Sequence, residues 1–298
     1  MFLKLFALAS AVAVLGFGSV AQADSIPLGN AANYSVLFTG MGSRNLSITN
    51  ATITGNVGVG DNGTMQFGPG TITGGLDFGA AYAGQYSNNG STGGPTGVNY
   101  GVAAVASAMS TMSALNSSFA GLGNSLAING TQTINESAGQ LDTVNGTTYR
   151  VFSVTSYSVG NGNLVTINGD GSGAPVVFNF IFNSSFTLGG DVALTGGLAD
   201  NQVLWNLPGT GKNARAITLN TDASDYPTLA FQGIILANID SLTVENANLD
   251  GQIFGGSTGN MDIDSSTITG PDTPEPATLS LLGAGLVGLV VLRRRRVK

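Results

Sequence analysis

The chain reads Thr52-Ile53-Thr54-Gly55, and nineteen residues on it reads Thr71-Ile72-Thr73-Gly74. The same four residue types recur a third time as Thr267-Ile268-Thr269-Gly270. Near the C-terminus Gly233 in FQGII, Gly251 in LDGQIF and Gly270 in TITG fall 18 and 19 residues apart. A period of 18–19 residues, filled with short alternating apolar stretches, suits one coil of a β-solenoid, in which each coil needs its neighbours to bury its inward side chains. Glycine at the recurring corner turns the chain without a Cβ penalty. A sandwich of antiparallel hairpins also yields Gly-punctuated strands. The even spacing favours the solenoid.

Working outward from the repeat, the middle of the chain holds further strand candidates. Val176, Phe178, Phe180 and Phe182 fall on one face of an extended segment, with Asn179 and Asn183 on the other. Residues 149–159, 164–168, 217–221 and 234–236 are rich in β-formers. One segment has a different period. Val102, Val105, Met109, Met112, Phe119 and Leu122 recur at helical spacing, with one seven-residue gap, and predict an amphipathic helix over about 98–122. Its apolar side, Val105, Met109 and Met112 above all, is expected to pack along the solenoid's flank. The opposite side is Ser and Thr without Lys or Arg, which argues against a membrane-active helix.

Composition narrows the chemistry. Only 9% of the 298 residues are charged, where about 25% is usual, while 45 are glycine and 42% are hydrophobic. The chain therefore has the apolar material for a core and the profile of an all-β surface protein. It contains no His and no Cys. Ser-His-Asp triads, Cys-His dyads, histidine metal sites, zinc knuckles and thiol nucleophiles are all excluded.

The two ends read as addresses. Residues 1–23 carry Lys4, an apolar run from Leu5 to Phe17 and then Ala21-Gln22-Ala23 before Asp24, the pattern of a cleaved signal peptide with Ala21 and Ala23 at the cut. At the other end Pro274-Glu275-Pro276 precedes an apolar run over 277–292, expected to enter the membrane as a transmembrane sorting helix, followed by Arg293, Arg294, Arg295 and Arg296. The arginines stay cytoplasmic and place the body outside. Residues 274–298 resemble the PEP-CTERM sorting signal of Gram-negative bacteria. That resemblance implies an exosortase as processing partner, transient inner-membrane anchoring, and delivery to the cell surface or exopolysaccharide matrix. Between the two addresses lies a body, residues 24–273. Its only basic residues are Arg44, Arg150, Lys212 and Arg215, set against sixteen acidic ones, a net charge of −12. Four cations make a poor binder of nucleic acid.

Within the body LGNAANYSVLFTG (28–40) and ITNATITGNVGVG (48–60) resemble the opening of the ice-binding-like domain. TMSALNSSFAGL (111–122), YRVFSVTSY (149–157), QVLWNLPG (202–209) and the run 231–256 resemble the choice-of-anchor A domain, also described as a collagen-binding-like or ice-binding-like adhesive module. The chain departs from that family at Gly233–Ile239, where members carry a proline that is missing here. The resemblance implies a right-handed β-helix with one flanking helix and an adhesive role.

Several residues invite a sharper function. In a strand Thr-x-Thr places both hydroxyls on one side, about 6.7 Å apart, and coils repeat at about 4.8 Å. Thr52, Thr54, Thr71 and Thr73 are therefore candidates for a face that orders water and binds ice, although Thr also simply suits a solvated β surface. In the sequence the C-terminal coils interrupt the pattern, since Thr243 pairs with Glu245 and Asp262 with Asp264, and Thr267 with Thr269 lies beyond them. Asp262 and Asp264 loosely match one calcium-binding nonapeptide, a single copy of a motif that works in arrays. With Asp222 and Asp225 they are the only close carboxylate pairs a glycan-cleaving solenoid could use. Trp205, the only Trp, is expected to be buried beside a turn and not to serve as a sugar platform. The expectation is an adhesin-like, non-catalytic structural protein without cofactor or metal, touching extracellular polysaccharide or protein surfaces. The alternatives are an ice-binding protein and a polysaccharide-processing β-helix enzyme.

Overall fold

The structure, a computed structural model, describes residues 25–41, 44–81, 83–90, 93–182, 184–208, 216–221, 230–237 and 241–270. Residues 1–23, expected to be a signal peptide, the motif from Pro274 with the run 277–292 and its arginines, Asn183, Lys212, Arg215, Asp222 and Asp225 lie outside these.

The described chain winds into stacked coils whose strands form three long faces. One coil runs from Tyr34–Phe38 on the first face, through Asn45–Thr49 on the second, to Ala51–Thr54 on the third; Asn56–Val59 then begins the next coil. Every strand pairing among the described residues is parallel except one, the hairpin of Gln140–Val144 with Thr147–Ser158. Parallel pairing between successive coils is what a solenoid requires and a hairpin sandwich lacks. Among the described residues the fold is mainly β with one α-helix. The glycine period reports the corners: Gly233 and Gly251 are register partners, and Thr269 pairs with Asp250, so Gly270 follows beside Gly251.

The coil order in space is not the order in sequence. Starting from Tyr34–Phe38 the chain stacks toward one end, through Asn56–Val59 and Leu76–Phe78 to Val98–Asn99. The helix Ala103–Ser118 follows, and strand Asn124–Asn129 begins a second stack at the far end. This stack builds back toward the middle until Asn248–Gly255 pairs with Tyr34–Phe38. The last coil thus docks on the first. Any parallel strand at a stack's edge offers the same ladder to whichever coil arrives, so the closure uses ordinary backbone pairing.

Inward side chains fill the solenoid. Phe152, Phe178 and Trp205 occupy equivalent positions on successive coils and stack, with ring centroids 5.3 and 4.6 Å apart. Trp205 is fully buried, as its place in the sequence suggested, and its indole N–H donates to the Gln232 carbonyl at 3.0 Å.

The helix is shorter than the expected span of about 98–122. Residues Val98–Asn99 form a strand instead, and the residues after Ser118 form turns. Val105 and Met112 are buried as expected, together with Ala108 and Leu115, whereas Met109 is only partly buried. Helix and first face enclose a second apolar layer with Leu37, Val177, Leu204, Ile234 and Phe254. This covering explains where strand alternation misleads. Asn179 stands on the outward side of Val176–Phe180, yet it is buried, because the helix roofs that face. Its side-chain N–H donates to the Phe119 carbonyl at 2.8 Å. Next to it Asn206 donates to the Asn116 carbonyl at 3.2 Å and to Asn179 Oδ1 at 3.0 Å, and accepts from Asn116 Nδ2 at 2.8 Å. A helix end leaves carbonyls without intrahelical partners, and these asparagines satisfy two at the end of this one.

Candidate functional site

With the middle of the first face covered by the helix, the second and third faces offer the longest continuous surfaces for contact. On the third face Thr267 pairs with Thr52 and Thr52 with Thr71, while Thr269 pairs with Thr54. Thr73 continues that second row, its backbone N–H donating to the Ile53 carbonyl at 3.0 Å. All six are exposed, and Ile53, Ile72 and Ile268 between them point into the core. The four threonines expected from sequence are brought together. The interruption read from the sequence is corrected. Thr267 and Thr269 do not lie beyond unrelated coils but complete the array from its other side, because the last coil docks on the first. The recurrence of Thr-Ile-Thr-Gly at 267–270 was the signal for them. Strand spacing makes the array about 4.8 Å by about 6.7 Å. One hydroxyl is engaged within it: Thr73 Oγ1 accepts from the Gly55 N–H at 3.0 Å. The rows then pass into Asn248 and Asp250.

The second face carries a mixed row through seven coils: Thr187, Thr218, Thr243, Asp262, Ser47, Gln66 and Ser87, each the register partner of the next. Asp264 lies beside Glu245 at this face's edge and accepts from Asn50 Nδ2 at 3.4 Å and Ser265 Oγ at 3.2 Å. Asp262 and Asp264 therefore belong to a flat ladder, not to opposite walls of a cleft. Among the described residues no group of three or more metal-ligating side chains converges.

At the corner between the third face and the helix-covered face lies a cavity of about 380 Å³, lined by Asn33, Ser35, Thr54, Asn56, Gln252 and Gly270 among others. It marks where the chain enters and leaves the stack. Ser35 Oγ donates to the Thr54 carbonyl at 2.6 Å, and Gln252 Nε2 donates to the Tyr34 carbonyl at 2.6 Å. A side chain at Gly270 would run into Ser35 Oγ, so entry and exit are packed against each other. This lining is neutral and its polar groups mostly serve the backbone.

Comparison with known proteins agrees with this architecture. Residues 17–264 match the model of the ice-binding-like adhesive domain, and residues 272–296 match the PEP-CTERM protein-sorting motif. Among solved structures, a glycosylated ice-binding protein from Arctic yeast is similar at a TM-score of 0.54 and 17% identity, over 85% of this chain and 96% of that one. An ice-binding protein domain from Shewanella frigidimarina is similar at 0.52 and 14%, over 84% and 99%. An ice-binding protein from the Antarctic ascomycete Antarctomyces psychrotrophicus is similar at 0.50 and 16%, over 84% and 100%. At such identities these likenesses concern the fold. No curated protein matches the chain.

Proposed function

The chain belongs to the ice-binding-like adhesive domain family and carries a PEP-CTERM sorting motif, and from that premise we propose that it is a non-catalytic adhesin-like protein of the cell surface or extracellular matrix. The motif implies export and processing by an exosortase. In this reading residues 1–23 are removed at Ala23, Pro274-Glu275-Pro276 and the arginines 293–296 direct sorting, and 277–292 hold the chain in the membrane before processing. The coils are right-handed, the hand that parallel strand-crossover-strand connections favour.

One observation carries the adhesive reading: two of three faces are flat ladders of hydroxyl and amide side chains with few charges, held rigid by backbone pairing from coil to coil. A surface already ordered loses little conformational freedom when it binds. Such faces suit neutral polysaccharide or protein surfaces. The test is binding of the purified protein to exopolysaccharide from the producing cells, to a glycan array and to collagen. Binding to none of the three would refute adhesion.

A second reading, ice binding, draws on the six-threonine array of the third face. Thermal hysteresis and recrystallisation inhibition test it. Activity that Thr52→Lys abolishes would make ice the ligand and this face the site. A polysaccharide-processing enzyme would instead release reducing ends from matrix glycan, and the arrangement of Asp262 and Asp264 on a flat ladder argues against it.

A further inference from the structure

We propose that the solenoid end formed by strand Asn124–Asn129 is a docking edge for a second copy of this chain, the two copies joining edge to edge about a two-fold axis.

A strand at a sheet edge presents a row of backbone N–H and C=O groups to any strand that arrives, and proteins usually blunt such edges with lysine, proline, a charge or a very short strand. None of these is present on Asn124–Asn129, although its register against Thr147–Ser158 shifts once, between Leu126 and Ala127. Among the described residues Asn124–Asn129 pairs only with Thr147–Ser158, and Gln132–Asn135, the same coil's strand on the third face, pairs only with Leu164–Asn168. Residues 124–135 contain no charged residue and no proline. Asn124, Ser125, Ala127 and Asn129 are exposed. A separate observation marks the same end: Leu141, on the hairpin strand Gln140–Val144 that pairs with the same neighbour, is 57% exposed, one of three large apolar side chains so exposed among the described residues.

Edge lengths select the partner. The opposite end of the stack closes on Tyr86–Asn88 and Val98–Asn99, three and two residues long. Head-to-tail stacking into a filament would set a six-residue edge against a two-residue one. Self-pairing sets six residues against six, in antiparallel register, and a two-fold arrangement closes after two copies. Residues 124–135 carry no charge; of the acids nearest them, Glu136 is buried and accepts from the Asp170 N–H and Ser172 Oγ, and Asp142 on the adjoining hairpin accepts from Gln140 Nε2 at 2.8 Å. The dimer places two solenoids end to end and doubles the length of the exposed faces.

The chain's lack of cysteine makes the test direct. In the exporting cell the full chain carries one introduced cysteine, S125C, A127C or N129C on the edge, or S87C or N99C at the opposite end, and is treated with a short bis-maleimide. The expected result is a homodimer band from at least one edge position and none from the opposite end. A127P, which removes a backbone donor from the edge, and A127K, which keeps the strand's donors but adds a charge, are both expected to lose the cross-link made through S125C. Trp205 fluorescence reports whether each variant is folded. Absence of a homodimer at every edge position, equal yield at the opposite end, an adduct with a different protein, or a cross-link that persists in folded A127K overturns the proposal.

Discussion

Replacing Gly251 by alanine probes the corner on which the coil stack depends. Gly251 has φ +149°, a conformation L side chains rarely adopt, and an added Cβ would overlap the Gly233 carbonyl oxygen and come within 2.7 Å of its carbonyl carbon. A residue held in a sparsely populated region costs about 1–3 kcal/mol. Overpacking against a rigid neighbour adds about 1–3 kcal/mol, and here the neighbour is backbone that cannot rotate away. The sum, about 2–6 kcal/mol, is a large share of the about 5–15 kcal/mol that stabilises a typical domain. Gly90 is the control. Its φ is +93°, and a Cβ there meets nothing within 4 Å, so alanine at Gly90 incurs only the conformational cost. The assay is equilibrium urea unfolding followed by the fluorescence of Trp205, a single buried reporter. Gly251→Ala should lower the midpoint well beyond Gly90→Ala, with the denaturant slope unchanged. If the two variants lose the same stability, close coil-to-coil packing is not the reason for the glycine period.

Asn206→Ala removes the link between the asparagine ladder and the helix end, leaving the Asn116 carbonyl and Nδ2 and Asn179 Oδ1 short of a partner. The expected cost is about 2–4 kcal/mol, with faster amide exchange in the last turn of Ala103–Ser118. Burial pushes the Tyr157 phenol above its usual value of 10.0. The unfolded chain therefore ionises this group near pH 10 while the folded chain keeps the proton, so stability is full below pH 10 and falls as pH rises beyond it. Tyr157→Phe should lessen that alkaline loss in urea titrations, leaving the share of Tyr34 and Tyr86, whose phenols burial also pushes up, while costing about 1–2 kcal/mol at neutral pH through the missing 2.9 Å bond to the Gly189 carbonyl. Hydrogen bonds from Ser172, with Arg150 at 2.8 Å, hold the Asp170 carboxyl below its usual value. Asp170→Asn should therefore remove a small stabilisation that is present above the ordinary carboxylate range and lost as pH falls through it, read from thermal midpoints at pH 2–5.

Much of this was legible before any coordinates. Glycines 18 and 19 residues apart are register partners or corner neighbours, and segments 164–168 and 176–180 are strands within the expected stretches. The four threonines expected to share a face do share one. The helix ends were less legible, because Val98 and Leu122 continue its apolar spacing without joining it. Nor could alternation reveal that Asn179 and Asn206 are buried, since their strands carry a helix on what would otherwise be the solvent side.

Although the middle coils run longer, with 26, 27 and 30 residues on the steps from Phe152 to Phe178, Trp205 and Ile235, the residues alone carry the plan of a short coil: the 18–19-residue spacing of its glycine corners, which side chains point inward, and the sorting motif that follows the body. Those features are local, since they depend on the two-residue period of a strand and on the few residues that make a turn. The tertiary structure alone decided which coil sits on which. Parallel ladders accept any coil of matching shape, so the order is fixed by global packing, with the helix covering the first face while the last coil returns to the first. That return sets Thr267 beside Thr52, turning two short repeats some two hundred residues apart into one surface. It also leaves the uncharged strand Asn124–Asn129 at the solenoid's open end.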